Sequence, residues 1–145
     1  MCILSPTGKT LAYCLPLLQK IILSKNESSA REKSAIRAVV LVPTRELCTQ
    51  VYNTLQSLVY YCDDIISVAA LTASRGRGHK AQQEVARQQA MLRDRPDVVV
   101  ATPAGLLSHI RSGHIHLKDS VETLVVDEAD LVLSFGKKLC SNVVG

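Results

Sequence analysis

The chain has 145 residues, 17 Lys and Arg against 13 Asp and Glu, and a net charge of +4, which suits a single domain with a true core and is compatible with a polyanionic partner without establishing one. Hydrophobic residues make up 47% and aromatics only 3%, so the composition is that of a soluble globular chain with an aliphatic core. No apolar stretch reaches the roughly 20 residues of a membrane-spanning helix, and the five cysteines form no C-x-x-C or Cys/His grid, which argues against a zinc module and for buried thiols in a reducing compartment.

The chain opens on SPTGKT (5–10) followed by a helical run that contains Pro16, where a kink is expected. LAYCLPLL imitates the apolar part of a secretion signal, but no basic segment precedes it and Gln19-Lys20 follow directly, so nucleus or cytoplasm is the expected compartment. The polar, Ser-rich segment 24–35 reads as a loop. Next comes AVVLV (38–42), a continuous β-branched run expected of a strand covered on both faces. PTREL (43–47) leads into a helix over 45–61, with Leu47, Val51, Leu55, Leu58 and Val59 at steps of three and four. A second strand follows in ISVAAL (66–71), then the basic, flexible ASRGRGHK (73–80) and a more polar helix over 79–93. DVVVAT (97–102) is the third strand, and TPAGL opens a short helix over 103–112. His114 and His116 flank Ile115 without a matching ligand set, which makes them solvated side chains rather than metal ligands. TLVVDE (123–128) is the last strand, and it ends in the carboxylates of DEAD (127–130).

Strand and helix alternate, so the expected fold is α/β, with three layers: a parallel sheet and helices on both faces. Ligands of such sheets bind beyond the carboxyl ends of the strands. Pro43-Thr44-Arg45, Thr102-Pro103 and Asp127-Glu128 all fall at strand ends, so the chemically interesting residues converge on one edge.

Each motif has a chemical reading and a plainer one. Acids at the tip of a buried strand are what a nucleotide hydrolase sets opposite its phosphate loop, one carboxylate for Mg²⁺ and a neighbour for the attacking water. The same acids also suit the first turn of a helix. Gly8-Lys9-Thr10 matches the end of G-x-x-x-x-G-K-[ST], but Ile3 stands where the first glycine belongs, and a simple turn opening a helix explains it equally well. PTREL and TPAGL are both good helix starts, the second with Thr as N-cap and Pro at the first helical position.

PTREL, TPAGL and DEAD, in this order and at these separations, resemble the DEAD-box RNA helicases, and GKT near the start fits their motif I. The stretches PDVVVATP, LLSHI and DSVETLVVDEADLVLSFG are most similar to the nucleolar subgroup that assembles the large ribosomal subunit. The resemblance implies a RecA-like P-loop NTPase lobe that uses ATP and Mg²⁺ and remodels RNA. Thr7, Gly8, Lys9 and Thr10 would bind the nucleotide, Lys9 at the β/γ-phosphates and Thr10 at the metal. Asp127 would hold the magnesium and Glu128 would position the hydrolytic water, the two forming the catalytic pair. Asp130, with Ala129, would link the ATP site to the rest of the machine. Pro43, Thr44, Arg45, Thr102 and Pro103 would touch the sugar–phosphate backbone of one RNA strand, independent of sequence and expected to be pre-ribosomal RNA; pre-ribosomal proteins are further partners, and no membrane is implied.

Departures from the family pattern set a second expectation. Motif I reads S-P-T-G-K-T in place of A-x-T-G-x-G-K-T, which leaves the phosphate cradle short of N–H donors. Gly105 stands where the family carries an arginine, and TASRG replaces a Gly-Gly motif. Residues 1–136 are therefore expected to form a partial first helicase domain and 137–145 a divergent tail. The adenine-reading segment, the coupling Ser/Thr motif and the second lobe are missing from the expected pattern. Two functions follow: an ATP-dependent RNA helicase of ribosome biogenesis, represented by part of its core, or a catalytically silent fragment that binds RNA or a partner.

Overall fold

The structure, a computed structural model, describes residues 6–27, 35–61, 64–73, 76, 78–117 and 120–134, with Pro6, Thr7 and Glu27 described in backbone only. The elements run α1 (Pro6–Glu27), β1 (Ala38–Leu41), α2 (Arg45–Val59), β2 (Val68–Leu71), α3 (His79–Arg93), β3 (Val98–Ala101), α4 (Pro103–Arg111) and β4 (Thr123–Val126). A further helical segment covers 129–134. The strands form one sheet in the order β2-β3-β1-β4, and every neighbouring pair is parallel.

Alternate residues of these aliphatic runs point to opposite faces, so each face needs its own cover. Ala38, Val40, Val98 and Val100 pack against Cys14, Leu17, Leu18 and Ile21 of α1 and against Cys48, Val51, Leu55 and Val59 of α2. Those α1 positions step by three, one and three, which is the stripe a helix presents to a sheet. Val39, Val99, Leu71 and Ala101 pack on the other face with Leu92 of α3, Ile115 and, part-buried, Leu106 of α4. Helices thus cover both faces of the parallel sheet over β1, β2 and β3, as the continuous apolar runs require, whereas Leu124 and Val126 of β4 are exposed on one face.

The amino-terminal edge is closed by charge. Asp97 is buried, and its carboxylate accepts from Lys25 Nζ at 2.8 and 3.0 Å and from Ser67 N at 2.9 Å, while its carbonyl accepts from Arg37 N and Ala38 N. One residue, through its carboxylate and its carbonyl, therefore joins the end of α1 to the starts of β1, β2 and β3. Nearby, the Arg37 guanidinium pairs with Glu122, and Lys20 donates to Thr123 Oγ1 at 2.8 Å. These contacts fix the direction of α1: its carboxyl end lies at the amino-terminal edge and its amino end at the opposite one.

Each strand is shorter than its apolar run. β1 stops at Leu41 because Pro43, which has no N–H, follows Val42, and β3 and β4 stop where Thr102 and Asp127 turn into the next helix. The helices at 45 and 103 end at Val59 and Arg111, and the one at 79–93 has its expected bounds. α1 differs more. It begins at Pro6, so Gly8-Lys9-Thr10 lies in its first turn rather than in a loop ahead of it, and it continues through Pro16, which is exposed, to Glu27 within the segment expected as loop. The tail expected at 137–145 lies outside the described residues.

Candidate nucleotide and RNA edge

The carboxyl ends of the strands are level. Thr102 N donates to Leu71 O at 3.1 Å, Val42 N to Ala101 O at 3.0 Å and Asp127 N to Leu41 O at 2.9 Å. The sheet edge therefore presents Thr72, Thr102, Val42-Pro43 and Asp127 in that order, and at about 4.8 Å per strand Thr102 stands about 10 Å from Asp127. The amino ends of α1, α2 and α4 all lie at this edge, so unpaired N–H groups and three positive helix ends converge on it.

Sequence-distant residues meet at the acidic corner. Tyr13 Oη donates to Asp127 Oδ2 at 3.0 Å, across 114 residues of chain. Thr10, three residues before Tyr13 on α1, is itself buried. Lys9 precedes Tyr13 by four residues, one helical turn, and so shares its face; it is exposed and forms no ion pair with the other described residues. Gly8 is exposed, and of Thr7 only the backbone is described, within α1. The structure thus brings the second turn of α1 beside Asp127, with Tyr13 as the contact that sequence reading missed. Its signal was an aromatic hydroxyl one turn past GKT in a chain almost without aromatics.

Burial, and then the charge of Asp127, raises the Tyr13 phenol so far that it stays a proton donor at every physiological pH. The same two causes push the Cys14 thiol up to about 11, and burial pushes Cys48 to about 11 against the opposing pull of a backbone N–H and Arg45. Both cysteines are buried and free of disulfides, and neither is a thiolate nucleophile.

Glu128 sits at φ +52°, in the left-handed region that an unbranched acidic residue rarely adopts. Its carbonyl accepts from Leu131 N at 2.9 Å and Val132 N at 3.1 Å, which starts the helical segment at 129–134. The left-handed turn ends the strand direction abruptly and leaves the Glu128 side chain exposed beyond the tip. Asp130 is exposed on the first turn of that segment. DEAD is therefore both a strand tip and a helix start, and the two readings of it coincide.

Thr44 and Thr102 are N-caps. Thr44 Oγ1 accepts from Leu47 N and Thr102 Oγ1 from Gly105 N, each at 3.2 Å. Thr102 and Pro43 are buried, whereas Pro103, Thr44 and Arg45 are part-exposed. The two capping oxygens are engaged as acceptors, and what these turns offer outward is the guanidinium of Arg45 and the helix ends themselves. Gly105 is held against the tip of β2: a Cβ there would stand 2.6 Å from Leu71 O and 2.8 Å from Thr72 C and Cα. Beside it, His109 is buried, with Nε2 2.9 Å from Gln88 Oε1 and Nδ1 3.3 Å from Nδ1 of the exposed His114. Neither histidine has the company of a metal site among the described residues, but His109 is a core group rather than a solvated one.

A family model described as DEAD/DEAH box helicase matches residues 1–143. The chain belongs to that family. It is 40% identical over 138 residues to the probable ATP-dependent RNA helicase ddx56 of Dictyostelium discoideum, covering 95% of this chain and 18% of the relative. It is 44% identical over 130 residues to the ATP-dependent RNA helicase DBP9 of Coccidioides immitis, covering 90% of this chain and 19% of that protein. The chain thus spans about a fifth of the length of the curated relatives it matches. Among solved structures it is similar to a hypothetical ATP-dependent RNA helicase from Sulfolobus tokodaii, with a TM-score of 0.65 and 32% identity over 91% of this chain and 32% of that one. It is also similar to the yeast DEAD-box splicing factor Prp28, with a TM-score of 0.70 and 26% identity over 96% of this chain and 30% of the other. The parallel sheet described above is the RecA-like lobe of a DEAD-box protein, a family of enzymes that use ATP and act on RNA.

Proposed function

We propose that this lobe is the ATP- and RNA-gripping part of an ATP-dependent RNA helicase acting in ribosome biogenesis. The observation that carries the reading is the shared edge: Tyr13 ties the second turn of α1 to Asp127, and one and two strands away stand the capped turns of α2 and α4. Lys9 and the N–H groups of Gly8 and Lys9 would meet the β/γ-phosphates, with Thr7 completing the turn. Mg²⁺, when bound, screens phosphate charge and polarises the leaving group. The donors fit it: Asp127 and Thr10 supply hard oxygen, the donor type of an ion that keeps water and phosphate ligands. Glu128, held out beyond the tip, would position the attacking water, and Asp130 would pass the state of the site to the second lobe. RNA would run over the amino ends of α2 and α4, where Pro43-Thr44-Arg45 and Thr102-Pro103 offer donors to phosphates without reading bases. Pre-ribosomal RNA and nucleolar placement are part of this proposal, and their support is the sequence stretches that resemble the nucleolar subgroup.

One feature favours a silent RNA-binding lobe as the second reading. α1 starts at Pro6, so the first turn lacks the N–H that Pro cannot supply, and Thr10 is buried. Titrating the purified chain with a fluorescent ATP analogue, with and without Mg²⁺, decides between them. Magnesium-dependent binding weakened about tenfold by Lys9→Ala and by Asp127→Asn supports the helicase core. Folded chain that binds no nucleotide yet retains salt-sensitive binding of single-stranded RNA establishes the silent lobe.

A further inference from the structure

A cleft of about 260 Å³ opens beyond the free edge of β2, the outermost strand on that side, between α2 and α3. The two helices pack on opposite faces of the sheet, so they flank the strand edge as two walls. Ser67 and Leu71 direct their carbonyls to β3, and the intervening residues of a parallel strand turn their polar groups the other way. At Thr72 those outward groups are capped by a side chain: Gln88 Oε1 accepts from Thr72 N at 3.3 Å and Gln88 Nε2 donates to Thr72 O at 3.1 Å. Gln88 is itself buried and pinned by Glu84 at 2.9 Å and His109 at 2.9 Å. The floor is therefore built in advance, and an added peptide strand cannot continue the ladder past Thr72.

The walls carry a different chemistry. Arg45 and Tyr52, two turns apart on α2, face Arg87 and Met91, one turn apart on α3. Two guanidiniums stand against one carboxylate, Glu84, which already accepts from Gln88. Arg45 is also the first residue of α2, directly after the Thr44 cap, so the cleft is continuous with the strand-tip edge. Its volume is below the roughly 300–1,000 Å³ of pockets for drug-sized ligands and suits one nucleotide.

We propose that the α2–α3 cleft is an RNA subsite that takes a single splayed nucleotide of the strand bound along the sheet edge, its phosphate between Arg45 and Arg87 and its base against Tyr52 and Met91. Arginine pairs bind phosphate, and unstacked bases are bound by aromatic and apolar walls. The proposal rests on the RNA reading of that edge and extends the footprint sideways from it.

The test uses the full 145-residue chain and a fluorescein-labelled decauridylate, followed by anisotropy across a salt series. Arg87 is exposed and in no ion pair with the other described residues, so Arg87→Ala leaves the fold in place. The substitution is expected to weaken binding about tenfold and to lower the salt slope by about 1. In the unmodified chain, decauridylate carrying 4-thiouridine is expected to crosslink within residues 45–53 or 84–91. RNA binding with an unchanged slope in Arg87→Ala, or crosslinks confined elsewhere, overturns the subsite and leaves the edge reading standing. No salt-sensitive binding by the unmodified chain overturns the edge reading and the subsite together.

Discussion

Glu128 carries the sharpest residue-scale tension in the lobe. An L-residue in the left-handed region costs about 1–2 kcal/mol, and glycine there avoids that cost while losing about 0.5–1 kcal/mol of backbone freedom. Glu128→Gly is therefore expected to raise stability by about 0.5–1 kcal/mol, and Glu128→Gln, which keeps the strain, to leave it unchanged. Urea midpoints at constant slope read the difference. A lower midpoint for the glycine variant would show that the turn is not strained. Strain kept at an acidic strand tip is what a residue held for chemistry rather than for folding looks like. A second residue that the fold cannot enlarge is Gly105, where α4 rests on the β2 tip. Because the colliding atoms are backbone, Gly105→Ala is expected to cost about 1–3 kcal/mol by the same measurement, and a neutral outcome would mean that α4 shifts freely.

At the scale of elements, α3 and α4 are joined through Gln88, His109 and His114. Burial, and then the neighbouring His114, hold the His109 imidazole below its usual pKa of 6.5. As pH falls through 6.5 the unfolded chain takes up a proton that folded His109 still refuses. This contribution to stability is therefore complete above 6.5 and is lost as pH drops toward the folded value. The groups facing His109 are His114 and Gln88, the latter carrying Glu84 at its other end, so among the described residues no carboxylate hydrogen-bonds the ring. Thermal melts of the parent and His109→Gln chains between about pH 7 and pH 5 test it. The parent is expected to lose melting temperature more steeply than the variant, and equal slopes would remove His109 from the acid response.

At the scale of the whole molecule, the described sheet is well covered except at β4. Leu124 is 59% exposed, Leu133 65% and Leu131 43%, and they lie on or just after that strand. β1 pairs with one side of β4, and among the described residues nothing pairs with the other. A strand edge left bare among the described residues, beside exposed leucines, is a template for self-association. The chain is expected to form concentration-dependent oligomers in the micromolar range, and Leu124→Lys to keep it monomeric with an unchanged melting temperature. Light scattering behind a sizing column distinguishes the two. A parent chain that stays monomeric throughout would show that the edge is already protected.

The sequence alone determined the layers and the edge. Continuous runs such as AVVL and VVVA specify strands buried on both faces, Thr44 and Thr102 specify helix starts, and the order PTREL, TPAGL, DEAD specifies the family, because each of these signals is local and its physics acts within a few residues. Only the tertiary structure decided how the site is assembled. The Tyr13–Asp127 bond joins residues 114 apart, Gln88 caps a strand edge 16 residues away, and His109 is buried only because α3 and α4 meet. The helix that takes in Gly8-Lys9-Thr10 and the left-handed turn at Glu128 likewise show only in the folded chain. No neighbouring residue records that packing, which is why a motif could name the chemistry here but not place its atoms.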